Sequence, residues 1–257
     1  MTERPYVLLS CAMSVDGCLD APGRERLVLS GAADLDRVDD ERASSDAIMV
    51  GAGTIRRDDP RLLIRSPERR AARTANGRPA HPIGVTLTAS GDLDRGARFF
   101  TGWRVAGGAG PDRPARLVYS ASGVAAEARR RLDGLAEVVD AGSRPALAGV
   151  LADLSRRGVH RLMVEGGADL SRQFLTGGLA DELQLVIAPF FVGDPAAPRF
   201  AGPGRYPYGP SRQMTLAEVR EVGAVVLLRY LLESAPDGSA PQASGGAVMA
   251  ATEGRDD

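Results

Sequence analysis

Twice in this chain a short apolar run ends in glycines and passes straight into helix-forming residues. The first stretch is 46–61, DAIMVGAGTIRRDDPR, and the second is 161–175, RLMVEGGADLSRQFL. Ile48, Met49 and Val50 are too few for a helix and are bounded by glycine, so they read as a buried strand. A strand that ends in glycines leaves bare backbone at its carboxyl end, which is where open α/β sheets place ligands. Gly51 and Gly53 permit tight turning and close approach of a phosphate or sugar, because no Cβ stands in the way. Thr54 then caps the short helical turn or offers its hydroxyl to a ligand. Alone, this GxG reads as an ordinary strand–turn–helix connection. The second segment gives it weight: a strand delivers Glu165 to the sheet edge, and Gly166-Gly167 open a helix. Backbone N–H groups at a helix start, with the positive dipole end, suit a pyrophosphate. The GxGxxG spacing is missing, so this is not a standard dinucleotide fingerprint. Glu165 either caps backbone amides or grips an amine or amide of a ligand.

The rest of the chain alternates around these segments. Strands are expected at 6–12, 83–88, 117–119, 136–139 and 160–165, and helices at 124–132, 145–157 and 168–175. That alternation argues for βαβ units and an α/β fold with a largely parallel sheet. Residues 14–17, SVDG, read as a turn. Ser30 is the expected cap of a helix whose apolar positions are Ala33, Leu35, Val38 and Ala43. Residues 65–82 carry Arg65, Arg69, Arg70, Arg73 and Arg78 and read as a solvated loop. Only Arg65 lies near enough to the strand to serve as an electropositive rim. A long apolar strand at 182–192 precedes a C-terminal antiparallel hairpin, 214–222 with 224–232, turning at Gly223, so the sheet is mixed. Residues 235–257 are small and polar and read as a disordered tail, leaving 1–234 as the domain.

Composition closes off several function classes. At 257 residues the chain can bury a sizeable core, and its net charge of −1 creates no field favouring nucleic acid or an anionic membrane. Every basic residue is arginine, which excludes a Walker-type lysine and Schiff-base lysine chemistry. Cys11 and Cys18 are too few for a disulfide scaffold or a zinc site, and with His81 and His160 as the only histidines neither a metal centre nor a Ser-His-Asp triad is expected. Cysteine usage points to a cytoplasmic protein. The N-terminus lacks the apolar core of a signal peptide, and no run approaches the ~20 apolar residues of a membrane span.

Taken together, SVDG at 14–17, DAIMVGAGTIRRDDPRL at 46–62, VEGG at 164–167 and GLADELQLVIAP at 178–189 resemble the riboflavin-biosynthesis reductases, in order and spacing over roughly 5–232. These are the reductase domain of a bifunctional deaminase–reductase and its stand-alone relatives. The resemblance implies a dihydrofolate-reductase-like fold, NADPH as cofactor and reduction of the ribosyl group of a pyrimidine ribosylamine 5′-phosphate to ribityl. It sets Thr54 and Asp58 near the cofactor, with Gly53 beside them, and Gly166, Gly167, Ala168, Asp169 and Leu170 at the cofactor phosphates. Ala89 and Ser90 fall at the adenosine 2′-phosphate, and Met13 and Val28 at the nicotinamide side. Arg42, Leu62 and Arg65 fall around the phosphorylated substrate, and Glu165 against it; Asp58 and Glu165 are the implied catalytic pair. Arginine forks suit a phosphate monoester, and hydride transfer asks for positioning more than for strong acids or bases. Ser10 stands where the bacterial bifunctional form often has lysine, Val28 where it has tryptophan, and Arg26 where it has a small polar residue. The stretch SCAMSVDG is similar to the archaeal and fungal stand-alone branch. No deaminase half is recognisable. Two other readings stay open: a related reductase acting on another heterocycle, and a nucleotide-binding protein without catalysis. Exposed apolar strands near the C-terminus, with the resemblance, imply a homodimer.

Overall fold

The computed structural model describes residues 4–23, 27–103 and 113–232; the expected tail and Arg26 lie outside them. Nine strands form one sheet: β1 (Tyr6–Ser14), β2 (Ala47–Gly51), β3 (Ile83–Thr88), β4 (Arg116–Ser120), β5 (Glu137–Asp140), β6 (Arg161–Val164), β7 (Glu182–Ala188), β8 (Thr215–Val222) and β9 (Val225–Leu231). Their spatial order is β5-β4-β3-β2-β6-β1-β7-β9-β8. Strands β5 to β7 in that order pair in parallel, and β9 joins β7 and β8 antiparallel. The sheet is mixed, as its sequence pattern predicts. Strand β7 ends at Ala188, short of the expected 192. The β8–β9 turn sits at Gly223, whose φ of 63° suits glycine.

Parallel strands bury both faces, and adjacent residues therefore serve different cores. Val7, Leu9, Met49 and Val164 meet Val150, Leu154 and Phe174 from α6 (Leu147–Arg156) and α7 (Ala168–Thr176) on one side. Leu8, Ile48, Val50 and Met163 meet Ile55 of α2 (Ala52–Asp58), Phe99 and Phe100 of α4 (Arg98–Thr101) and Ala128 of α5 (Ser122–Arg131) on the other.

Helix α1 (Ala32–Ser44) departs from expectation. Its N-cap is Gly31 rather than Ser30, and its fully buried residues are Asp34 and Asp39, while Ala33 and Leu35 are exposed. The cause lies in what it faces: a polar cleft and the start of a further helix, with Val38 the expected apolar position that packs against the core. That helix, α3 (Pro67–Ala75), replaces part of the expected loop at 65–82. Ser66 caps it by accepting the Arg69 N–H, and Pro67 starts it with a pre-set φ. The arginines of this stretch hold it down. Arg69 pairs with Asp36 and Asp39, Arg78 with Asp46, and buried Arg73 donates to the Ala43 and Ser45 carbonyls at the end of α1. Among the described residues no helix is long and apolar enough to cross a membrane.

Candidate active site

Strand β6 enters the sheet between β2 and β1, so the connection order reverses there and a crevice opens at the carboxyl ends. Both glycine segments meet at this point. The Glu165 N–H donates to the Met49 carbonyl at 3.0 Å, and the Gly51 N–H to the Gly166 carbonyl at 3.4 Å. The conformations of the two turns differ. Gly51 has φ −69° and ψ 151° and caps α2, so Thr54 falls inside the helix and does not cap it. Gly166 and Gly167 have φ of 131° and 98°, values that L side chains rarely adopt. Helix α7 starts at Gly167 with no side-chain cap, leaving its first N–H groups for a ligand.

A cleft of about 400 Å³ opens here, between the sheet edge, α1 and the residues at 19–20 and 27–30. Among its lining residues are Val28, Arg42, Thr54, Asp58, Glu165, Gly166 and Gly167, all expected at the site. The Thr54 hydroxyl lies only 3.1 Å from where a Cβ on Gly167 would stand. A Cβ on Gly53 or Gly166 would meet nothing within 4 Å, so the bare backbone of both turns faces open space. Two uncapped glycine turns and a helix start fit a dinucleotide pyrophosphate.

Arg42 is not displayed as a free cation. Its Nε and Nη2 donate to the two Glu165 carboxylate oxygens at 2.6 and 2.5 Å, and its Nη1 donates to the Leu63 carbonyl. Burial works against the Arg42 charge, but the carboxylate more than offsets this and its pKa stands above the ordinary value. The pair therefore fixes Glu165 at the sheet edge in one orientation.

Other expected residues lie outside the cleft wall. Ala89 and Ser90 are exposed just past the end of β3, the strand beside β2. Met13 is in β1 and packs against the core. Ala168 and Asp169 form the first turn of α7, where Asp169 pairs with Arg172. Leu170 is buried behind the two glycine turns, 3.9 Å from the Cβ positions of both Gly51 and Gly167. Leu62 is 2 % exposed and belongs to the core, despite a φ of 50°. Arg65 sits on the outer side of α1, donating to the Leu35 carbonyl and lying 3.6 Å from Asp39. Neither Leu62 nor Arg65 reaches the cleft as it stands.

The cleft also holds groups that the sequence pattern did not single out. Asp20 accepts the Leu27 and Ala21 N–H groups and pairs with Arg57; these outweigh the burial that would raise its pKa, and hold it low. Cys11 contacts the Ser171 hydroxyl at 3.6 Å, and burial pushes its thiol up to about 11, so it is no nucleophile near neutrality. Asp34 and Arg37 form an i,i+3 pair on α1. Their helical spacing is the signal the sequence carries, overlaid by the apolar positions of the same helix. Among the described residues no group of three or more His, Cys, Asp or Glu stands together as metal ligands.

The profile of the RibD C-terminal domain matches residues 5–228. The 2,5-diamino-6-ribosylamino-4(3H)-pyrimidinone 5′-phosphate reductase of Archaeoglobus fulgidus is 36% identical over 197 residues, 76% of this chain and 85% of that protein. The protein of the same description from Methanothermobacter thermautotrophicus is 39% identical over 191 residues, 74% of this chain and 80% of its own length. Among solved structures, RibD of Acinetobacter baumannii superposes with a TM-score of 0.71 at 25% identity, over 90% of this chain and 58% of that one.

Proposed function

The chain belongs to the RibD C-terminal domain family, and we propose that it is an NADPH-dependent reductase of 2,5-diamino-6-ribosylamino-4(3H)-pyrimidinone 5′-phosphate, converting ribosyl to ribityl in riboflavin biosynthesis. One observation carries this reading beyond the family match. Thr54, Asp58, Arg42, Glu165 and the Gly166-Gly167 turn come from three separate stretches of chain and converge on one cleft.

The α7 start and the Gly51–Thr54 turn would hold the dinucleotide phosphates, and Ala89 and Ser90 would receive its adenosine phosphate. NADPH when bound supplies the hydride. Every other demand falls on side chains. Glu165, oriented by Arg42, is the group placed to hold a polar atom of the substrate or its proton, and Asp58 closes the same wall from the end of α2. Buried Cys11 and Ser171 line the floor of the cleft beside β1. Arg42 reaches a substrate phosphate only by sharing its fork with Glu165, so we assign it first to positioning that carboxylate. Arg65 joins the site only if its exposed side chain leaves the Leu35 carbonyl.

Turnover is tested by following NADPH oxidation with the diaminopyrimidinone ribosylamine phosphate as substrate. Oxidation with appearance of the ribityl product is expected. NADPH binding without turnover of any pyrimidine would instead favour a nucleotide-binding protein. Turnover confined to other heterocycles would favour a related reductase. No acidic residue occupies 88–91 to favour a free ribose, so NADPH should bind more tightly than NADH, and equal affinities in a titration would count against that cofactor choice.

A further inference from the structure

Helix α1 buries two carboxylates. Asp39 accepts the N–H groups of Arg65 and Ser66 and so starts α3. Asp34 starts no second element: it stands in the first turn of α1, where the helix dipole favours a carboxylate, and pairs there with Arg37 through one oxygen only. It is 1% exposed and lines the cleft. Among the described residues it accepts one hydrogen bond, from Arg37 Nε to Oδ1 at 2.7 Å, and Oδ2 takes none. Arg37 is itself tied to the Gln184 side-chain oxygen, and Gln184 pairs in register with Ser10, another residue of the cleft wall. A carboxylate is thus clamped at the wall with one oxygen unspent. That oxygen is not among the buried polar atoms left without a partner, so it opens on the cleft, where a ligand that brings donors can reach it.

We propose that Asp34 reads the pyrimidine ring, accepting hydrogen bonds from the exocyclic 2-amino group and the neighbouring ring N–H of a 2-amino-4(3H)-pyrimidinone. This rests on the reductase reading above and deepens it to a choice of ring. The 2-aminopyrimidinone edge presents two adjacent donors, which a carboxylate, an acceptor only, matches with both oxygens. The deaminated ring carries a carbonyl at C2. It would set an oxygen against Oδ2 with no proton between them, and beside a carboxylate that is only 1% exposed that mismatch is expensive. Asp34 therefore selects the ring before deamination, by charge and donor pattern rather than by size.

The test compares wild type and Asp34→Asn with the diaminopyrimidinone substrate and its deaminated aminouracil counterpart. Wild type should favour the diamino ring on the order of 10²-fold in kcat/KM. Asp34→Asn should narrow that ratio by about tenfold or more, because its amide N–H can donate to a C2 carbonyl. NADPH affinity should not move. A purely structural Asp34 predicts equal losses for both rings; that result overturns the proposal, as does a wild type indifferent to the ring. If the Asn variant fails to fold, Asp34→Glu keeps the charge beside Arg37 but displaces the carboxylate: a narrowed ratio supports the proposal and an unchanged one overturns it. Turnover of neither ring by wild type that still binds NADPH overturns the reductase reading, and this inference with it.

Discussion

Single residues separate a ligand role from a structural one most cleanly at the glycines. Gly53 lies inside α2 with ordinary helical backbone, and a Cβ there meets nothing within 4 Å. Gly53→Ala should therefore keep or raise the melting temperature, since alanine in a helix is favoured over glycine by ~0.5–1 kcal/mol. It should nonetheless weaken NADPH if the cofactor backbone passes close to that turn. Opposite signs in calorimetry and titration are the expected outcome; unchanged NADPH affinity would remove Gly53 from the site. Gly167 cannot give so clean an answer. Its φ of 98° strains any side chain, and the Thr54 hydroxyl stands 3.1 Å from the Cβ position, so Gly167→Val should lower stability and cofactor binding together. A second residue-scale expectation concerns the Arg42–Glu165 fork, whose side chains are 16% and 11% exposed. Arg42→Ala strands the carboxylate and should cost ~2–3 kcal/mol in urea unfolding, less than for a fully buried pair. Glu165→Gln keeps the shape and should lower turnover while sparing NADPH affinity; a parallel loss of both would mean the carboxylate only supports the fold.

At the scale of elements, α1 and α3 are joined by a seam of carboxylates and guanidinium groups rather than by apolar packing. Asp39 is 2% exposed and accepts the Arg65 N–H at 2.6 Å, the Ser66 N–H at 3.0 Å and Arg69 Nη1 at 3.2 Å. Asp39→Ala leaves those donors without a partner and should cost about 3 kcal/mol, loosening α3 in hydrogen exchange before the sheet. Burial acts to raise the Asp39 pKa, but the two N–H groups and Arg69 outweigh it and hold it below the ordinary carboxylate value. A folded pKa that is depressed contributes stability that is whole above the unfolded value of ~3.9 and is lost as pH falls through the folded one. The melting temperature of wild type should thus stay level from neutrality to about pH 5 and fall below about pH 4, and the acid fall should be shallower in Asp39→Asn. An identical acid profile in the two proteins would show that other carboxylates govern it. This seam also marks where sequence reading stopped. An acid at 39 that anchors the N–H groups just ahead of a helix beginning at 67 leaves no local periodicity, so α1 read as amphipathic and α3 as loop. The strands were legible for the opposite reason: buried runs bounded by glycine, such as 48–50, declare themselves locally.

The whole molecule is a parallel sheet extended on one side by an antiparallel hairpin, and that extension decides its outer boundary. The glycine turns, Glu165 and the helix starts were legible because strand ends and bare backbone are local features. The Asp34–Arg37 pair and the retreat of Leu62 into the core were not, because they depend on which distant element arrives opposite them. The hairpin belongs to the same class of long-range consequence. Among the described residues strand β8 is the sheet edge, with no strand paired on its outer side, and such an edge invites pairing with another chain. Its cross-strand pairs Leu216–Tyr230 and Val219–Leu228 continue a face on which Leu228 and Tyr230 already pack against the main core. Leu216 and Val219 at the outer end of that face are 52% and 60% exposed, and Val226 nearby is 41% exposed. We propose that a second copy of the chain covers this contiguous apolar extension at the edge strand, forming the homodimer that the family resemblance implies. Val219→Glu places a charge in the middle of that surface without touching the cleft or the parallel strands. Light scattering should then report a dimer for wild type and a monomer for the variant, with the melting transition of the sheet retained. A wild type that is monomeric at micromolar concentration, or a variant that stays dimeric, would move the interface elsewhere and leave the hairpin as an edge guarded only by Glu218, Arg220 and Glu221.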